Sequence, residues 1–286
     1  VECPRCGIVF SKLSGAPRSS AAAATPRVAA PHREPGRPPY KLLAFGVIGA
    51  LICHAFWLTN AALGTLKTLF HELGHAVVGW LLGYPAIPAF DFMFGGGITH
   101  YGQFHVSIAL AIAAGFGYLG YRLRTNTTAV VIIAAIAVVW LIVVTKEWRR
   151  ETVCAAAGVI FELLLAATFL YMAIANVGWR MPEIERPLGA LVAFFVQFDS
   201  WIFAIRLMRD QDFLEWYGQG KGGALMNDLE VIALNLKIYL GMNTTIQSVA
   251  KMLFVFSFVP FGIAFWLASR HERVEAAVDE LMAEVS

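Results

Sequence analysis

Two histidines four residues apart, His71 and His75, enclose an acid in the segment His71-Glu72-Leu73-Gly74-His75. On an α-helix a spacing of four places both imidazoles on one face, a turn apart. Both ring nitrogens can then reach one metal ion at ~2.0–2.1 Å. Glu72 leaves the helix beside that pair, where a carboxylate can take a proton from water. The pattern also arises by chance in soluble helices, but here it sits among Leu69, Phe70, Val77, Val78, Trp80, Leu81 and Leu82. Two histidines and a carboxylate in apolar surroundings are costly unless they are paired or metallated. The segment therefore predicts a Zn2+ site held by His71 and His75, with Glu72 as the catalytic base of a hydrolysis.

A catalytic zinc needs a third protein ligand and an open position. Asp228 is the leading candidate, because it follows Gly218, Gly220, Gly222 and Gly223, where backbone can approach closely. The alternatives are Asp199, in Phe198-Asp199-Ser200-Trp201, then Glu162 and His100. Asp199 could instead pair with Arg206 or a helix end, and Glu162 could be a polar contact between helices. His54 reads as a hydrogen-bonded core histidine.

The elements that must position these groups are apolar. Hydrophobic residues make up 58% of the 286, and charged residues only 15%, where a soluble domain carries about a quarter. Apolar segments run over approximately 42–58, 61–83, 104–121, 127–145, 152–176, 188–208 and 246–268, near the ~20 residues that a bilayer core requires. The expected fold is an all-α polytopic membrane protein of about six to seven transmembrane helices. Gly74, Gly79 and Gly83 on the second segment suggest close helix packing.

Ahead of the first span lies a basic arm with Arg5, Lys12, Arg18, Arg27, Arg33, Arg37 and Lys41. Its position points to the cytoplasmic side of a multi-pass protein rather than to nucleic acid. No secretory leader is expected in so polar an arm. Within it Cys3-Pro4-Arg5-Cys6-Gly7 resembles one knuckle of a zinc ribbon, half of a tetrahedral site. Cys3 and Cys6 are thus a candidate second metal site, completed by a second copy or by upstream residues, or else a knuckle without metal; its expected use is a protein partner or self-association. Cys53 and Cys154 lie in apolar spans and do not suggest disulfides.

Two stretches are not spans. Around Gly95-Gly96-Gly97, the alternation Phe90, Phe92, Phe94 and the run Ile98-Thr99-His100-Tyr101 predict a membrane-associated β-hairpin or loop over 90–104. Phe92, Phe94 and Ile98 are the candidate substrate-binding residues, on an edge that could capture an unwound chain. Residues 228–241 are apolar but too short to span, which suggests a re-entrant or interfacial helix. The domains expected are a knuckle (1–14), a disordered linker (15–40), a transmembrane catalytic domain (41–268) and an amphipathic C-terminal helix (269–286).

His71-Glu72-Leu73-Gly74-His75 within an apolar span resembles the site-2 protease family of intramembrane zinc metalloproteases. Ala157-Gly158-Val159-Ile160-Phe161-Glu162 is similar to the small-residue helix that family packs beside its catalytic helix. Gly222-Gly223-Ala224-Leu225-Met226-Asn227-Asp228 resembles the stretch carrying its third ligand, although Leu229 follows where the family usually has Gly. The resemblance covers roughly 60–240 and implies a β element after the catalytic helix, a zinc cofactor and a transmembrane protein substrate. The rival expectations are a non-proteolytic membrane metal-binding protein, a metallo-hydrolase acting on lipid, and a pseudoprotease scaffold.

Overall fold

The computed structural model describes residues 39–90, 96–219 and 226–271, and beyond them Arg273, Val278 and Met282. The knuckle with Cys3 and Cys6, the linker, Phe92 and Phe94, and most of the C-terminal tail lie outside the described residues.

Helices dominate. In chain order they are α1 (Pro39–Ala55), α2 (Trp57–Leu81), α3 (Val106–Arg122), α4 (Thr127–Val144), α5 (Glu147–Ala175), α6 (Pro182–Arg209), α7 (Gln211–Gly218), α8 (Asp228–Leu240), α9 (Ile246–Phe256) and α10 (Phe258–Ser269). Strands β1 (Ala86–Phe90) and β2 (Gly97–Tyr101) fall between α2 and α3. Every apolar segment read from the sequence is helical. Four helices among the described residues are long and apolar enough to cross a membrane, α4, α5, α6 and the continuous α9–α10 pair. A fifth is reached if α1 and α2 count as one broken span. The number falls below six to seven for two reasons. The α1–α2 pair bends by 108°, and the α3 helix has only 17 residues.

The bend centres on Phe56, whose backbone is extended (φ −100°, ψ 120°). Breaking a helix in an apolar medium frees carbonyls that need new partners. Thr59 supplies one, its Oγ1 lying 3.0 Å from the Cys53 carbonyl and 3.1 Å from that of Phe56.

Packing relies on small residues. Ala50, Ala166, Ala167, Ala193 and Ala264 surround Leu170 and Phe195 where α1, α5, α6 and α10 meet. A second cluster joins α6 to α7, α8 and α9 through Leu207, Tyr217, Leu229, Ala233, Val249 and Ala250. By contrast, the apolar surface of α4 is almost bare, with only Val144 buried. Trp140 donates from Nε1 to the Leu81 carbonyl at 2.8 Å, tying α4 to the end of α2.

The antiparallel hairpin is displaced from the expected 90–104. Its first strand is Ala86–Phe90, and the register pairs Ala86 with Tyr101 and Pro88 with Thr99. Two local features start it early. Gly83 adopts φ +92°, which ends α2, and Trp80 donates from Nε1 to the Ala86 carbonyl at 2.9 Å. Pro88 lacks an N–H, but both strands of a two-stranded sheet are edge strands, where proline is tolerated. The glycines of α2 divide the packing differently from expectation. A side chain at Gly74 would strike Phe161 and the Ala157 carbonyl on α5, whereas one at Gly79 would strike Tyr101 and Ala86 of the hairpin.

Candidate metal centre

The α2 helix carries Lys67, His71 and His75 at intervals of four, so they share one face. That face meets α5, and Gly74 lets the two backbones approach. Asp228 arrives from far along the chain as the first residue of α8. Its Oδ2 lies 2.8 Å from His71 Nε2 and 3.1 Å from His75 Nε2, and the two Nε2 atoms are 2.9 Å apart. The three groups form a partly buried cluster able to hold a metal ion.

The far side of each ring fixes what the near side can do. His71 Nδ1 is 2.7 Å from Glu162 Oε1, and His75 Nδ1 is 2.7 Å from the Cys154 main-chain carbonyl. Both of these partners are acceptors, so each Nδ1 carries the proton and each Nε2 presents a lone pair. Two lone pairs and a carboxylate oxygen then face one another at contact distance. Such an arrangement repels itself unless a cation lies among the three. Donors bound to tetrahedral zinc at ~2.0–2.1 Å lie roughly 3.3 Å apart, close to the spacing found, and the His₂Asp donor set suits zinc. Histidine ligands whose other nitrogen is held by a carboxylate or a carbonyl are the usual companions of bound metal. The residues fit the ion.

Glu72 is buried, at 6% exposure. Thr99 of β2 donates from Oγ1 to Glu72 Oε2 at 2.7 Å, so the hairpin holds this carboxylate. A side chain at Gly97 would overlap Glu72, and one at Gly158 would lie 2.5 Å from His71 Nε2 and 2.6 Å from His75 Nε2. Glycine at these two positions keeps the centre open.

Asp228 is anchored on two sides. From α7, the Tyr217 hydroxyl accepts from the Leu229 N–H at 3.3 Å, and the Tyr217 carbonyl accepts from the Asn227 side-chain amide. On α5, Asn235 of α8 donates to Thr152 Oγ1 at 3.1 Å, and Tyr239 stacks on Trp148 with ring centroids 5.1 Å apart. Burial, reinforced by the charge of Asp228, pushes the Tyr217 phenol up, so it stays neutral.

The other candidate ligands lie elsewhere. Asp199 pairs with Lys67 Nζ at 2.5 Å rather than with Arg206, whose Nε is 3.7 Å from Asp210. Glu162 touches His71 on the side away from the cluster. His100 is exposed on β2. His54 stacks on Phe195 at 4.2 Å and reaches its carbonyl at 3.3 Å, as a core histidine does. Ile98 lines the same cavity as the histidines, a space of about 910 Å³ that β2, α5 and α8 enclose. Sequence reading missed Lys67, although a signal existed, since it is a lone cation one turn before His71 in an apolar helix. The resemblance set Gly158 on a helix beside the catalytic one, but its closeness to both imidazoles shows only in the packing.

No family model, no curated protein and no solved structure matches this chain.

Proposed function

We propose that the chain is an intramembrane zinc endopeptidase, similar in chemistry to the site-2 proteases, acting on transmembrane protein substrates. The observation that carries the reading is the convergence of His71 Nε2, His75 Nε2 and Asp228 Oδ2 beside buried Glu72. In this reading the chain is a multi-pass protein with its basic arm on the cytoplasmic side, and the bent α1–α2 pair and α3 complete the helical membrane domain.

A zinc ion held by His71, His75 and Asp228 would supply Lewis acidity to a scissile carbonyl and to water. Glu72 accepts the proton of the attacking water and returns it to the departing amine. Thr99 keeps Glu72 Oε2 in place, and Gly97, without a side chain, leaves room around the carboxylate. Peptide bonds within a helix are shielded by their own hydrogen bonds, so the substrate must unwind before attack. The β2 strand lines the cavity, and in this reading an unwound segment pairs with its edge as an added strand.

The test uses purified full-length protein in detergent, with zinc content and cleavage of single-span membrane proteins measured together. Glu72→Gln should keep its zinc and lose ~10²–10⁴-fold in turnover, the range of a lost general acid–base. Asp228→Ala should lose both. Zinc bound by wild type with no cleavage of any such substrate would count for a non-proteolytic metal-binding protein.

A further inference from the structure

The two histidines of the centre are held by unlike partners. His75 leans on a main-chain carbonyl, which the α5 backbone fixes by itself. His71 leans on Glu162, a carboxylate at the end of a side chain with rotational freedom and only 3% exposure. A buried carboxylate needs compensating charge, and something must choose its rotamer. Lys67 does both. Its Nζ lies 3.5 Å from Glu162 Oε2, the oxygen that His71 does not use. The same ammonium contacts Asp199 Oδ2 of α6 at 2.5 Å. Asp199, Lys67, Glu162 and His71 therefore form one continuous chain from α6, through α2 and α5, to the cluster.

Each link has one geometric consequence for the next. Asp199 draws the flexible lysine stem toward α6. The ammonium then faces Glu162 Oε2, which turns Oε1 toward His71 Nδ1. With its proton held there, His71 keeps the Nε2 lone pair directed at Asp228 and His75. Because Lys67 precedes His71 by one helical turn, the length of the chain is set by helix geometry. Neither Lys67 nor Asp199 reaches the cluster directly.

We propose that Lys67 is a positioning residue of the metal centre: anchored to α6 by Asp199, it holds the Glu162 carboxylate that orients His71. The proposal rests on the reading of His71, His75 and Asp228 as a zinc site. It adds that zinc affinity depends on a lysine that does not bind zinc.

The experiment measures zinc affinity of the purified full chain by competition with a chromogenic chelator, with cobalt(II) spectra of the same variants. Lys67→Met should weaken zinc binding ~10–100-fold, the usual effect of losing the support behind a ligand, and should alter the cobalt spectrum. Lys67→Arg should restore most of the affinity. Asp199→Asn, which leaves the Lys67–Glu162 pair in place, should weaken binding in the same direction by less, and it serves as the test if Lys67→Met does not fold. Glu162→Gln combined with Lys67→Met should bind no more weakly than Glu162→Gln alone, because both act through one link. Wild-type affinity and spectra in folded Lys67→Met, or in Asp199→Asn where Lys67→Met does not fold, overturn the proposal. Full additivity with Glu162→Gln does so as well. Wild-type protein that binds no zinc overturns the metal-centre reading and this proposal with it, whereas zinc bound equally by wild type and Lys67→Met overturns this proposal alone.

Discussion

At the scale of single residues, the centre is defined as much by what is missing as by what is present. Gly158 faces both imidazoles at a distance no real Cβ could occupy. Gly158→Ala should therefore abolish tight zinc binding while leaving the helix sound, since alanine is the better helix former by roughly 1 kcal/mol. Chelator competition beside a circular dichroism melt checks both halves; a variant that binds zinc like wild type would show that α5 can yield. The histidine pair and Glu72 were legible in the sequence because helix geometry alone converts a spacing of four into a shared face. Gly158 was legible only through the resemblance, as part of a small-residue helix beside the catalytic one, because its closeness to the imidazoles exists only once α5 lies against α2. Asp199 and Glu162 were picked out for their type, and their partners, Lys67 and His71, were settled by packing.

Among the elements, α8 has the most demanding placement, since its first residue must meet two histidines on another helix. The Asn235 amide and the Tyr239 ring dock it onto α5. Asn235→Leu removes the amide bonds, yet Thr152 keeps its own contact with the Trp148 carbonyl at 2.7 Å. The cost to stability should be only about 1 kcal/mol, whereas zinc affinity should fall clearly because Asp228 loses its lever. A thermal shift and chelator competition on one sample separate the two effects; unchanged affinity would mean that Tyr217 suffices as anchor. The sequence indicated that residues 228–241 are helical and too short to span, and α8 ends at Leu240. The hairpin was foreseen by its glycines but misplaced. Alternating phenylalanines drew the strand downstream, whereas the Gly83 turn and the Trp80–Ala86 bond begin it at Ala86.

For the molecule as a whole, the described residues that line the cavity run from Lys67 to Leu253. Removing residues 1–38 should accordingly leave zinc content and cleavage by purified protein unchanged. A folded truncation that lost either would assign the arm a part in the centre. The apolar segments were all visible in composition, but which of them form helices long and straight enough to cross a membrane was not, because a bend at Phe56 and the shortness of α3 lie below the resolution of an apolar run. The separation of Asp228 from His75, 153 positions along the chain, also has a consequence in time. A ribosome adding ~5–20 residues per second needs roughly 8–30 s to travel from one to the other. For that interval the growing chain has its two histidines but not its aspartate, so the three-residue cluster is incomplete. The cluster closes only when α8 docks, and the order of synthesis sets when the centre can form.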